Sequence, residues 1–590
     1  MGNFFSSNKP LPSAKKPQPS SAPSLGTIKS IIRQPGELDL SHLNKCNKLF
    51  KRNSHAITKF CIQLIDQPPR QSLPLPLRSR KAAQMLQQKR TMSSLQYTFT
   101  ASSDYEMSFL ISKLKGLHHL TSLNLDLSSV KSCTPEHLKY LSTTLGNFKK
   151  LTSLNITFPN SLEMTPKYII CLGFGFHRLR SLVSLSLKFS PQQRPNFPSL
   201  RPLAKLLSKL TGLQYLILSQ FASIVPLALT FIPPVLKKLT SLEGLGLDLA
   251  DMGSFYSKHL NQIFLALKDR TIPLKSLAFN FKDCAVDFPN SCPLSRGLAM
   301  LDLSQLQSFK LNCYSNLTSK ALEQLTAVLN TAPLKLLSLD LSKCRFSSSS
   351  PHFSLNLQAF QSLSCLSINP CDLKNGLQGV GTAIKPLVNL KFLEIDFSKQ
   401  TKENVDEKEL IDFSANLRGL QNLKHFSLNL KDLSTIPDKG LIALSENLQC
   451  LTRLSKFNLE LVEIRRGMNK DILSLLTSLT KLKKLTDLFL DLSKSHIFSV
   501  RNLHNLAEVL QSLSLLNSVN LDFSNCESLS EEKESFGPLF RSLGKLKSLK
   551  KIILRIPSSI EDQTRALDYI KHIEDQAIDW DCLNPYRRWT

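Results

Sequence analysis

One short phrase, Leu-x-x-Leu-x-Leu-x-Leu, recurs sixteen times and sets what the chain can fold into. Its clearest copy is Leu120-Thr-Ser-Leu123-Asn-Leu125-Asp-Leu127, and equally regular copies begin at Leu242, Leu334 and Leu485. Looser copies begin at Met92, Leu151, Leu182, Leu213, Leu274, Leu306, Leu363, Leu390, Leu423, Leu454, Leu516 and Leu549, so successive starts lie 27 to 33 residues apart. A repeat of that size marks a solenoid, in which each unit touches only its neighbours. A solenoid offers an extended surface, so the search for function turns to a binding face rather than a pocket.

Each phrase predicts a short strand whose alternating apolar residues share one inward face. The stretches that follow carry helical periodicity, as in Glu136–Leu145, Ser319–Leu329 and Leu503–Leu510. A strand and a helix in about thirty residues cannot bury their own apolar faces, whereas stacked copies can. The chain thus resembles a leucine-rich repeat protein, of the long-repeat type similar to ribonuclease inhibitor. The resemblance covers residues 92–560 and implies an α/β horseshoe with a parallel concave sheet and convex helices; it says little about function. Two departures stand out. Three places after the third apolar position the family has Asn or Cys. This chain has Ser128, Ser190, Ser342, Ser398, Ser493 and Ser524, and Cys371 once. The place before it is mostly Leu or Phe, which predicts a strand one residue pair longer than usual.

Three further regions flank the array. Residues 1–35 are rich in Ser, Pro and Lys and read as a disordered tail. Residues 36–91 read as an N-terminal cap, because Ile57–Leu64 imitates the repeat phrase. Residues 561–590, with Ile570–Trp580 at their centre, read as a C-terminal cap. Thirteen scattered cysteines without a Cys-x-x-Cys pair suit free thiols in a reducing compartment. No apolar run reaches the roughly 18–20 residues that span a bilayer, and no apolar segment follows Met1 as in a secretory signal. A cytoplasmic protein is expected.

Charge is unevenly spread. Residues 1–91 hold sixteen Lys and Arg against three Asp and Glu, a net +13 of the chain's +28. Much of the remainder falls just before strands, as at Lys149-Lys150, Arg178, Arg180, Lys237-Lys238, Lys483-Lys484 and Lys550-Lys551. Two readings are open. Cations near helix C-termini suit the helix dipole. Recurrence at one phase of the repeat also describes a basic rim. At the N-terminus, Met1-Gly2-Asn3-Phe4-Phe5-Ser6 matches the N-myristoylation pattern with Gly2 as acceptor. Lys9, Lys15 and Lys16 follow, and a basic patch is the second attraction that one acyl chain needs at an anionic membrane surface.

The concave face alternates with the buried leucines. The last of its three columns runs Thr98, Asp126, Thr157, Lys188, Ser219, Asp248, Asn280, Asn312, Asp340, Asn369, Asp396, Asn429, Glu460, Asp491, Asp522 and Arg555. Asp, Asn and Glu dominate it although they are depleted in strands. One reading is a solvated ladder of side-chain hydrogen bonds. The other is an acidic strip for a basic protein partner at Asp340, Asp396, Glu460, Asp491 and Asp522, with Phe392 and Phe489 as aromatic anchors. Tyr215, Ile217, Leu336 and Ile553 are further large apolar residues expected on this face. His425 reads as a surface residue.

Catalysis has little support. The chain has no Gly-rich phosphate loop, His-Glu-x-x-His or nucleophile elbow. The glycines of Leu172-Gly-Phe174-Gly-Phe176 lack phosphate-loop spacing and read as core. The expectation is a non-enzymatic scaffold without cofactor, metal or small-molecule substrate. Three alternatives remain. A Ran GTPase-activating protein would share the repeats, but its family ends in a strongly acidic tail, whereas this chain ends Asn584-Pro-Tyr-Arg-Arg-Trp-Thr590. A ubiquitin-ligase substrate receptor would need an adaptor motif upstream. A nucleic-acid binder would suit the net charge and Arg78, Arg80, Lys81, Lys89 and Arg90, but not the acidic column.

Overall fold

The computed structural model describes residues 94–98 and, except for short internal stretches, 107–556. The tail, the two cap regions, Gly2, Lys9, Lys15 and Lys16 lie outside the described residues.

Apart from the two-residue strands Gly253–Ser254 and Cys284–Ala285, which pair with each other, the sixteen strands among the described residues lie in one parallel sheet in sequence order, from Ser94–Thr98 to Lys551–Arg555. Each begins two residues after a phrase start, as Ser122–Asp126 does after Leu120. Register is set by the repeat itself: Leu123 pairs with Leu154 and Leu125 with Ile156, so like residues stack along the array. The alternate side chains point into the core, and Leu123, Leu125, Leu154 and Ile156 are buried. Helices cover the other side of that core, and buried residues of both layers form one continuous cluster. Phenylalanines fill it between repeats, with the rings of Phe158 and Phe189 stacked at 5.1 Å and those of Phe498 and Phe523 at 5.1 Å.

The helices start where their sequences favour a start. Thr134 caps Pro135–Leu145 by accepting from the His137 N–H at 3.3 Å, and Pro135 stands where no intrahelical N–H bond is needed. Thr318 caps Ser319–Leu329 through the Ala321 N–H at 3.1 Å, and Ser499 caps Val500–Gln511 through the Asn502 N–H at 3.4 Å.

The expected strand lengthening has its counterpart in the ladder at the strand exit. Most strands have five residues, while Ser276–Phe281 and Ser308–Cys313 have six. The ladder still runs one bond further, because the Leu127 N–H donates to the Thr157 carbonyl at 2.9 Å and Leu492 does the same to Asp522 at 2.9 Å. Leu127, Leu249, Leu341, Leu430, Leu461 and Leu492 are buried at that place. An apolar residue is therefore favoured where the family has a polar one.

The run at Leu172 forms the end of helix Pro166–Phe176. Leu172 and Phe176 are core, as expected, but Phe174 is 44% exposed, with the Lys139 Nζ 4.9 Å from its ring centroid. Gly175 faces helix Pro135–Leu145. Its N–H donates to the Ser142 Oγ at 2.9 Å, and Ser142 Oγ donates to the Leu172 carbonyl. The described cysteines are free thiols, and burial pushes Cys526 up to about 12, so it packs rather than reacts. Among the described residues, no helix is long and apolar enough to cross a membrane.

Candidate functional site

The Asp and Asn members of the polar column close the turn at the end of many of the strands. Asp126 Oδ1 accepts the Ser128 N–H at 3.0 Å, and the same two-residue bond joins Asp248 to Ala250, Asn280 to Lys282, Asp340 to Ser342, Asp396 to Ser398, Asn429 to Lys431 and Asp491 to Ser493. Asp and Asn have the side-chain length for this turn, and it satisfies a backbone N–H at the strand exit. Neighbours in the column also bond sideways, as Asn280 does to Asp248 at 2.8 Å and Asn369 to Asp396 at 3.5 Å. The ladder reading of the column is thus realised in these bonds.

Asp522 goes furthest in that direction. It is 2% exposed, and its carboxylate accepts from the Ser524 N–H at 3.0 Å, the Ser524 Oγ at 2.6 Å and the Arg555 guanidinium at 2.9 Å. Its acceptors are taken, so Arg555 rather than Asp522 meets solvent there.

Glu460 differs. Its side chain is one methylene longer than the turn uses, and it makes no hydrogen bond or ion pair with the described residues. It is half-buried between Asn429 and Asp491 in register. Burial, and then the Asp491 and Asp396 carboxylates, push its pKa above the usual range, while Lys431 opposes the shift. Asp491 is also pushed up, first by burial and further by Asp522, against the pull of its Ser493 bonds and of Arg555. A folded-state pKa above the unfolded one means that the fold holds protons the unfolded chain has lost. The stability these two carboxyls contribute is therefore present at low pH and falls as pH rises from the ordinary carboxylate range through the raised values. A cation placed beside them would reverse that cost.

Phe392 and His425 are adjacent in register in the first column and stack with ring centroids 4.3 Å apart. His425 is half-buried rather than a plain surface residue. Burial, and then Lys456, lower its pKa, and Asp487 pulls the other way. Lys456 and Asp487 continue this column, with 3.8 Å between Nζ and Oδ1. Phe489 lies in the middle column between Asn458 and Asn520. Three strand spacings, roughly 14 Å, separate it from the Phe392 strand, so the two phenylalanines form separate anchors. Glu394, on the Phe392 strand, accepts from Ser367 Oγ at 3.2 Å and adds a carboxylate that the column-by-column reading passed over. Asp340 belongs to the turn ladder two strands earlier. Among the described residues, no group of three His, Cys, Asp or Glu could hold a metal ion.

No protein-family profile matches the chain, and no curated protein does. Among solved structures, the chain is similar to one described as the complex of Rad7 and Elc1 in yeast, at 14% identity and a TM-score of 0.36, over 76% of this chain and 89% of that one. The superposition is loose. The leucine-rich repeat solenoid is established here by the order and register of its own sixteen strands.

Proposed function

We propose that this protein is an interaction scaffold of the long-repeat, ribonuclease-inhibitor-like type, and that its concave face takes a protein partner bearing basic residues. The contact runs from the Phe392–His425 stack across Glu394 and Glu460 to Phe489 and Asp491. The observation that carries this reading is Glu460: a half-buried carboxylate, crowded by Asp491 and Asp396 and without an ion pair to a cation among the described residues. A partner Lys or Arg would supply that cation, and Phe392 would supply apolar area at one end. The reading assigns binding and positioning to these residues, not catalysis.

Affinity capture from cell extract tests it. Phe392→Ala should weaken retention of the partner about tenfold or more, as expected for an aromatic anchor. Glu460→Lys should weaken it further and flatten its salt dependence. Capture should also decline on mild acidification, starting at higher pH than an ordinary carboxylate would give, because Glu460 and Asp491 take up protons early. Unchanged capture by both variants would remove the concave face from the account. We further infer that Gly2 is myristoylated and that Lys9, Lys15 and Lys16 assist it at an anionic membrane surface, on the strength of the motif alone. The mass of the native N-terminal peptide decides this, with a free or acetylated terminus as the contrary result.

A further inference from the structure

The strands run parallel in sequence order, so every segment that leads into a strand reaches the same edge of the sheet. Backbone bonds hold these segments in phase. The Thr121 carbonyl, just before its strand, accepts from Thr152 at 2.8 Å and Ser153 at 3.0 Å, and later repeats copy this down to Asn517 with Lys550 and Lys551. Residues at one offset from a strand therefore line up along the edge. The fourth residue before the strand is Lys149, Arg180, Lys483 or Lys547 in some repeats and Ile272 or Val388 in others. The third is Lys150, Arg453 or Lys484 in some and Leu515 in another.

These cations are all exposed. The apolar members are exposed too, Ile272 at 37%, Val388 at 47% and Leu515 at 48%. Among the described residues of these segments only Glu243 and Asp302 are acidic, and Glu243 is tied to Lys275 at 2.9 Å. The carboxylate column sits at the opposite ends of the same strands. At about 3.3 Å per residue, five or more residues separate the two by roughly 15 Å, beyond the physiological Debye length of about 8 Å.

We propose that this edge docks on an anionic lipid surface. Its lysines and arginines meet the headgroups, and Ile272, Val388 and Leu515 enter the interfacial layer. The solenoid then stands edge-on, with the acidic margin of its concave face held away from the lipid and open to a partner. The exchange of cations for aliphatic side chains at matching positions is what favours lipid. A phosphate backbone has no use for exposed aliphatic residues at these places, whereas a bilayer interface rewards them. Nucleic-acid surfaces instead add aromatic stacking or polar base contacts to the charge. The proposal depends neither on acylation of Gly2 nor on the concave-face partner.

The test uses the full chain carrying Gly2→Ala, floated with vesicles of phosphatidylcholine with and without phosphatidylserine. Binding should require phosphatidylserine and weaken with salt. The set Lys149→Glu, Lys150→Glu, Lys484→Glu and Lys547→Glu should weaken it by roughly tenfold or more. Reversal of Lys320 and Lys408, exposed on helices away from this edge, should leave it unchanged. Val388→Ser with Leu515→Ser should weaken binding while keeping its salt dependence. Equal loss in the helix reversals, or vesicle binding unaffected by the edge set, would overturn the proposal. So would tighter binding to duplex or single-stranded nucleic acid than to vesicles, if the edge set abolished it. Circular dichroism of each variant shows that the fold is retained, since every reversed side chain is exposed.

Discussion

Gly175→Ala should destabilise the N-terminal repeats by about 3 kcal/mol, at the upper end of what overpacking costs in a core. A Cβ at this position would run into the Ser142 carbonyl and the Thr143 nitrogen, which belong to the backbone of the facing helix and cannot rotate away. The two helices would have to part, and the bonds between Ser142 and the Leu172 carbonyl and Gly175 N–H would go with them. Gly173 is the control within the same helix. A Cβ there would meet only Leu206 Cδ1 at 4.0 Å. Gly173→Ala should therefore be neutral or stabilising by up to about 1 kcal/mol, the helix-propensity gain of alanine. Urea unfolding followed by circular dichroism separates the two. Because a solenoid is held by neighbour contacts, Gly175→Ala should also split the transition, with the first repeats melting early. Equal midpoints for the two variants would mean that the helices are not in backbone contact here.

Asp522→Ala is expected to cost about 2–3 kcal/mol. Loss of one member of a buried ion pair costs about 3–5 kcal/mol, and the partial exposure of Arg555 lowers that figure. The substitution removes three bonds at once, to the Ser524 N–H, the Ser524 Oγ and the Arg555 guanidinium. Asp522→Asn should cost only about 1 kcal/mol, because an amide oxygen can still close the turn while the charge is lost. The Asn525 backbone, at φ 59, lies in the same turn and depends on its closure. Thermal unfolding of both variants checks the order. If alanine and asparagine cost the same, the charge and not the turn bond holds the last repeats together. The concave-face tests accordingly use Glu460, whose removal breaks no bond, rather than Asp522.

The sixteen strands were legible in the sequence as the phrases themselves, while the structure supplied the constant offset of two places between phrase start and strand start. Helices at Pro135–Leu145, Ser319–Leu329 and Val500–Gln511 were equally legible, within a residue or a few at their ends. The candidate site was legible only in part. Listing the outward columns picked out Phe392, Glu460, Phe489 and Asp491. It did not separate Glu460 from Asp522, because both are acidic residues at the same strand position. It missed the Phe392–His425 stack, which joins side chains on different repeats. A useful signal was present: Asp and Asn are the turn-closing residues, so the single Glu in the column was the member least suited to that task.

The sequence by itself determined the period, the strand register and the side of the sheet to which each residue belongs. Alternation along a strand is a local property, and stacking of near-identical repeats preserves it across the array. The tertiary structure alone decided which carboxylates are consumed by turns, and that the Glu460 side chain makes no hydrogen bond or ion pair with the described residues. It also decided that Ile272, Val388 and Leu515 share an edge with the exposed lysines, and that Gly175 has no room for a methyl group. Each of these depends on what lies about thirty residues away in the next repeat. Burial, hydrogen-bond partners and neighbouring charge are set there, across the stack and not along the chain.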